Sequence, residues 1–356
     1  MALHPADETG PYPAEVRHRI RRDVQADYAN TALNLNDRGV SVVSIQHDFR
    51  SWGGDDGAYV LDFVRALRIP SVVTLHRVLP GPTASQRQVL KELTEAASAT
   101  VVMSRAAAAA LTASYGVAPR RAEIVPHGVP DLPLVSADAI KPRLGIAGQT
   151  VILSFGLLDP DKGYDKAIAA MPAVVEACPS VCYAILGATH PGLRSEESEA
   201  YRASLQAQVR SLGLEENVKF VDRFVGRVEF ATWLEAADLV LTPCSNLGRT
   251  VSGTLAYAMA AGRPIVSTPY AYASEMLGGG CGRLVAPDSP AALAEAVIGL
   301  LSDADLRASM GRRAHQRSRA MVWWKVGHQY RRIFNRVASA AGKPAASDRP
   351  LASVIA

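Results

Sequence analysis

The sequence lacks any apolar run near the roughly 18 residues that a membrane-spanning helix needs; its longest candidates, such as 151–158, have the length of strands. It is poor in cysteine, with four in 356 residues, too few and too scattered for a disulfide framework. Cys178 and Cys182 form a C-x3-C around Pro179, with no second Cys or His pair at zinc spacing nearby. They read as buried free thiols, and no metal is expected. The first twenty residues are polar and charged, without the apolar core of a secretory signal, which points to the cytoplasm. No nucleic-acid recognition motif accompanies the basic residues. The order of a Walker phosphate loop, G-x-x-x-x-G-K-[ST], is absent too.

The chain is 48% hydrophobic and 20% charged, the balance of a globular protein with a sizeable core. Its length fits about two domains. The net charge of +4 hides an asymmetry: residues 307–336 carry nine Lys and Arg and no acid, leaving the rest net negative. In the same stretch Trp323, Val326, Tyr330, Ile333 and Val337 recur at helical spacing. One reading is a terminal helix packed by its apolar stripe; the other is a basic surface for anionic lipid or an acidic partner.

Short apolar runs alternate with helical stretches almost throughout. The strand candidates are Val40–Ile45, Ser71–Leu75, Thr100–Met103, Ala122–Val125, Thr150–Phe155, Val181–Leu186, Val218–Val221, Leu239–Thr242, Pro264–Ser267 and Gly282–Val285. Near-continuous apolarity is how strands buried on both faces read, so the fold class is α/β with doubly wound parallel sheets. Ser289 followed by Pro290 should open a helix. Ser302 and Asp305 resemble a capping box, Gly262 should stop a helix, and a basic helix is expected at Glu15–Arg22. A Pro- and Gly-rich stretch at 130–149 suggests the domain boundary. The expected organisation is 1–140, 150–305, a basic helical segment at 306–340 and a disordered tail at 341–356.

Two motifs carry chemistry. In SFGLLDPDKGYDKAI, residues 154–168, a strand ends, Gly156 follows, and Lys162-Gly163 leads into a helix. Backbone N–H groups and a lysine at a helix start suit a phosphate; the bland reading is a solvated lysine on a loop. In NLGRTVSGTLAYAMAAGRPIVSTPYAY, residues 246–272, a loop with Gly248, Ser252 and Gly253 opens a helix near Thr254. Its amides and hydroxyls could hold a diphosphate, with Arg249 adding charge; the bland reading is a turn whose glycines relieve strain.

Together with IVPHGVP, VTLHRVLPGPTASQR, IQHDFRSWGGDDGAYVLDF and GCGRLVAPDS, these segments resemble glycosyltransferase family 4, collinearly from about residue 12 to about 338. The resemblance implies a GT-B-like fold of two Rossmann-like domains, the first on the acceptor side and incomplete. It implies retaining transfer of a hexose from a nucleotide diphosphate sugar, a UDP- or GDP-sugar, to an unknown hydroxyl acceptor. No cofactor or metal is needed, because Lys162 and helix N-termini offset the diphosphate charge. By the same resemblance His76 faces the donor sugar and is the catalytic candidate. Gly156, Lys162, Ser252, Gly253 and Thr254 hold the diphosphate, with Arg249 beside them, and Arg223 lies where base contacts fall. His47, Asp48, Gly53 and Gly54 are acceptor-side candidates, His190 is a loop residue near the donor, and His127 is read as structural.

The chain departs from the family. Its paired glutamates, spaced E-x7-E, are replaced by Arg249 and Tyr257, and the usual basic residue after the loop glycine is Leu158. This motivates the alternative of a non-catalytic sugar-nucleotide-binding or partner-binding protein; a GT-B epimerase is a third reading. The family's first strand and glycine-rich loop, roughly two βα units of about 30 residues each, have no counterpart. A sheet without its central strand exposes unpaired backbone groups. We therefore expect coding sequence for those units upstream of Met1, and an aggregation-prone or inactive protein without them.

Overall fold

The structure is a computed structural model that describes residues 1–4, 12–187, 196–223 and 225–343. His190 and all but the first three residues of the expected tail lie outside the described residues. The chain divides into two compact units, Met1–Pro126 with Trp324–Ala356, and His127–Trp323. The division falls just before His127, and the 130–149 stretch belongs wholly to the second unit.

In the first unit, β1 (Ala2–His4) and β2 (Arg19–Arg21) form a separate two-stranded parallel sheet. The helix expected at Glu15–Arg22 is not formed. Ile20 is buried between exposed Arg19 and Arg21, an alternation that belongs to a strand. The helix comes later, as α1 (Gln25–Asn36). The main sheet is parallel and ordered β3 (Val43–His47), β4 (Ser71–Leu75), β5 (Ala99–Val102) and β6 (Ala122–Ile124). Between its strands run α2 (Val60–Ala66), α3 (Ala84–Ala96) and α4 (Arg105–Tyr115). Thr83 and Gln86 form a full capping box at α3, and Ser104 caps α4, which Gly116 ends in the left-handed conformation. Ile20, Tyr28 and Ala32 share a core with Val43 and Ile45, so β2 and α1 contribute to the apolar packing around β3.

In the second unit, α5 (Ala137–Ile140) precedes β7 (Thr150–Phe155), α6 (Tyr164–Ala177), β8 (Val181–Leu186), α7 (Glu196–Ser211), β9 (Val218–Val221), α8 (Arg227–Ala236) and β10 (Leu239–Thr242). Then come α9 (Gly253–Ala260), β11 (Ile265–Ser267), α10 (Ala271–Met276), β12 (Arg283–Leu284), α11 (Pro290–Leu301) and α12 (Ala304–Ser318). The sheet is all parallel, ordered β12-β11-β10-β7-β8-β9. Two apolar clusters pack its faces, one through Met171, Val174, Leu205 and Val297, the other through Trp233, Leu255, Met259 and Tyr272. Ser289 caps α11 ahead of Pro290. At α12 the cap is Asp303, which accepts from the Leu306 N–H, whereas Ser302 ends α11; the capping box expected from Ser302 and Asp305 is not formed.

The last helix, α13 (Trp323–Ala340), packs within the first unit: Val326, Ile333 and Val337 cluster with Val72, Val101 and Val125. Trp323, expected in that stripe, is half exposed instead. Many of the arginines that made 307–336 so basic hold carbonyls. Arg307 donates to Leu300 O, Arg313 to Gly280 O, Arg317 to Gly278 O and Glu275 O, and Arg319 to Ala260 O. These four satisfy helix and loop ends. All four cysteines are free, three of them buried.

Candidate functional site

The order of the second sheet reverses at β7: β8 and β9 follow on one side, β10 to β12 on the other. In a doubly wound sheet the crevice outside the carboxyl ends of the strands at such a reversal is the ligand site. A pocket lies there, lined by Ser154, Phe155, Lys162, Tyr164, Leu241, Thr242, Pro243, Cys244, Arg249, Ser252, Thr254 and Tyr270.

Its floor is built from the first motif. Gly156 leaves β7 at φ +120°, with its N–H on Leu186 O at 2.9 Å. A Cβ there would stand 3.4 Å from Lys162 Nζ and 3.5 Å from Thr254 Oγ1, so this glycine brings the ammonium and the hydroxyl to one spot. Asp159 caps the short turn that carries Lys162, accepting from the Asp161 N–H at 2.9 Å. The Ser245 N–H donates to Asp161 O at 3.1 Å, and Asn246 Nδ2 to Asp161 Oδ2 at 3.2 Å, which clips this loop to the one after β10. Gly163 lets the two meet: a Cβ on it would fall 2.0 Å from Pro243 O.

The second motif supplies the other wall. Ser252 Oγ accepts from the Leu255 N–H at 3.2 Å, and the first ladder bond of α9 runs from Ala256 N–H to Ser252 O. The Gly253 and Thr254 amides therefore stand at the positive end of α9, outside its ladder. Arg249 is half-buried, and its guanidinium has no ion pair among the described residues. Its charge reaches buried Tyr164, whose phenol is pushed well above its ordinary range by burial, with Arg249 opposing that shift. Among the described residues no carboxylate lines the pocket. Two cations, a helix start and several hydroxyls can hold an oxyanion such as a diphosphate.

Beside α9 runs a chain of rings: Phe155 meets Phe230 at 4.9 Å between centroids, Phe230 meets Tyr257 at 5.7 Å, and His127 meets Tyr257 at 6.1 Å and Trp323 at 6.3 Å. Tyr257, where the family shows a glutamate, is thus part of an aromatic wall. Leu158, where the family shows a basic residue, is buried against Gly187. His127 Nδ1 lies 2.8 Å from Gly128 O.

Gly156, Lys162, Arg249, Ser252, Gly253 and Thr254 therefore come together around one pocket. Arg223 does not join them: it follows β9, is exposed and is paired through both terminal nitrogens with Glu229. Among the described residues no group of three or more His, Cys, Asp or Glu is placed to hold a metal ion.

The remaining candidates lie in the first unit, at the carboxyl ends of β3 and β4. His76 is exposed; its Nε2 bonds Gln46 Oε1 at 2.8 Å, and its N–H donates to His47 O. The His47 ring is fully buried, edge-on to Phe49, with neither nitrogen hydrogen-bonded among the described residues. Burial pulls its pKa down to about 4. Asp48 pairs with Arg77 at 3.3 Å. Gly53 is a packing residue, since a Cβ would fall 1.8 Å from Arg22 O, and one on Gly54 would meet the Tyr59 ring. Sequence reasoning passed over Thr242, Tyr164 and Tyr270, which line the pocket; only their places at the end of β10, the start of α6 and just before α10 distinguish them.

Two family models match the chain: "Glycosyltransferase Family 4" over residues 12–131 and "Glycosyl transferases group 1" over 149–303. The phosphatidyl-myo-inositol mannosyltransferase of Mycolicibacterium smegmatis is 33% identical over 201 residues, 55% of this chain and 47% of that protein. The D-inositol 3-phosphate glycosyltransferase of Kineococcus radiotolerans is 29% identical over 262 residues, 69% of this chain and 59% of that one. The match thus spans about half the length of these curated relatives. Among solved structures, Anabaena HepE in complex with UDP superposes with a TM-score of 0.71 at 20% identity, covering 90% of this chain and 86% of that one.

Proposed function

We propose a function from the premise that the chain belongs to the family 4-like glycosyltransferases of GT-B fold: it transfers a hexose from a nucleotide diphosphate sugar to a hydroxyl acceptor. The observation that carries this is the pocket at the sheet reversal, where Gly156 sets Lys162 beside Thr254 and the start of α9. A diphosphate carries charge that this lysine, Arg249 and the α9 amides would offset as the leaving group departs. With no carboxylate pair among the described pocket residues, the departing phosphate takes the proton of the incoming hydroxyl as that oxygen bonds the anomeric carbon on the face the phosphate leaves, one course that retains configuration.

His76 takes the catalytic role in this reading, oriented by Gln46. Asp48, held by Arg77, offers the acceptor-side contact, because the His47 ring is enclosed. The names of the relatives support an inositol-type acceptor, and HepE, bound to UDP, supports a uridine nucleotide. No described helix is long and apolar enough to cross a membrane. A peripheral contact with anionic lipid would fall on the outer face of α13, where Trp324 is 58% exposed near Lys325 and Arg332.

The test is turnover of UDP- and GDP-sugars with inositol and inositol phosphate, with product configuration read by NMR. We expect transfer with retention, lost in Lys162→Ala and His76→Ala. Tight nucleotide binding without any turnover would favour the non-catalytic reading, for which the absent glutamates speak.

A further inference from the structure

We infer that His127 determines recognition of the donor sugar: its Nε2 accepts a hydrogen bond from a sugar hydroxyl when the attached diphosphate sits on the start of α9. This deepens, and rests on, the nucleotide-sugar reading of that pocket.

The tautomer follows from chemistry. Gly128 O can only accept, so the 2.8 Å contact places a proton on Nδ1 and leaves the lone pair on Nε2. Burial also lowers the basicity of the ring, against the raising effect of the Gly128 bond, which favours the neutral form.

The position follows from Gly253. A Cβ on that residue would come within 3.1 Å of Nε2. Glycine, having no Cβ, lets Nε2 approach this closely, directly beside the amides that begin α9. The ring is held in place: Tyr257 meets it edge-on at 72°, and Trp323 flanks it at 51°. Trp323 in turn lies so close over Gly128 that a Cβ there would fall 2.1 Å from its ring.

The need follows from the pocket. Lys162 and Arg249 can only donate hydrogen bonds, and among the described residues no carboxylate lines the wall. A sugar hydroxyl that must donate is left with hydroxyl oxygens, carbonyls and this nitrogen. Of these, the imidazole lone pair is the strong, fixed acceptor next to the diphosphate position.

The prediction separates the sugar from the rest of the donor. Calorimetric titration compares UDP with UDP-glucose, and GDP with GDP-mannose, on the whole chain. In His127→Phe, which keeps a ring and removes the acceptor, nucleoside diphosphate affinity should stay within about twofold while nucleotide-sugar affinity falls about tenfold, the loss of one hydrogen bond. His127→Gln, which restores an acceptor, should recover part of it. His127→Leu, which also removes the acceptor and is smaller than Phe, should reproduce the selective loss and serves if the Phe variant does not fold. Equal losses for nucleotide and nucleotide sugar would mean a contact to ribose or phosphate, or a packing role, and would overturn the inference. So would no loss for either. Failure of the unaltered protein to bind any nucleoside diphosphate would instead sink the underlying reading of the pocket.

Discussion

Replacing Gly156 by alanine tests the site through two separable effects. The residue holds φ +120°, a region that side-chain-bearing residues rarely adopt. Occupying it costs about 1–3 kcal/mol. In a unit of this size each kcal/mol moves the unfolding midpoint by about 2–4 °C, so a fall of roughly 2–12 °C is expected. Collision adds nothing to this, because the new methyl would stand 3.4 Å from Lys162 Nζ and 3.5 Å from Thr254 Oγ1, ordinary contact distances. That same spot is where a phosphate oxygen must come to lie about 2.8 Å from the ammonium. Losing a charge-assisted hydrogen bond of about 1.5–3 kcal/mol weakens binding roughly 10- to 150-fold.

The control is Gly213→Ala. Gly213 also has positive φ, +65°, but a Cβ there would meet nothing within 4 Å. It should lose stability and keep nucleotide affinity. Thermal melts and UDP and GDP calorimetry on both variants decide the matter. If Gly156→Ala binds nucleotide as well as Gly213→Ala does, the pocket is not where the phosphate sits.

Two further outcomes are expected. In Gly163→Ala the Cβ would fall 2.0 Å from Pro243 O, so backbone must move and the Lys162 loop must part from the loop after β10; the melting temperature should drop further than in Gly156→Ala, and an unchanged melt refutes this packing. For His47, the folded pKa of about 4 lies below the ordinary 6.5, so protons favour the unfolded chain: its contribution to stability is complete above pH 6.5 and is lost as pH falls from there to about 4, a loss of about 3 kcal/mol. Urea unfolding across this range should show that acid-sensitive component in the native protein and lack it in His47→Leu; parallel pH profiles would refute the assignment.

The sheets were legible because their strands are buried on both faces, and continuous apolar runs such as Thr150–Phe155 and Val181–Leu186 coincide with the observed strands. Strand β2 was not, because only Ile20 is buried among arginines and three residues are too few to reveal a period of two. At α12 two adjacent capping residues competed, and Ser302 was already committed to ending α11. The gathering of Lys162, Ser252 and Thr254 around Gly156 was legible for a topological reason: each follows a strand that borders the reversal of the sheet. What distant residues impose was not. Gly53 owes its identity to Arg22 O, Gly163 to Pro243 O, and the orientation of His127 to Gly128 O and Trp323.

The departures from the family pattern make sense as one coupled change. A carboxylate at position 249, which lines the pocket with Lys162, would compete with an anionic ligand for its charge. Here position 249 is itself a cation without an acid partner among the described residues, and position 257 is a tyrosine set between Phe230 and His127. Leu158 is drawn into the core on Gly187, so the loop keeps Lys162 as its cation toward the pocket. The wall thereby keeps its positive charge for phosphate while losing the acids that could accept from sugar hydroxyls. An aromatic wall holding a neutral imidazole restores an acceptor without restoring a negative charge. On this logic, glutamate at position 249 would not rescue a His127→Phe variant: it would add an acceptor, but it would replace a cation of the wall that the diphosphate requires.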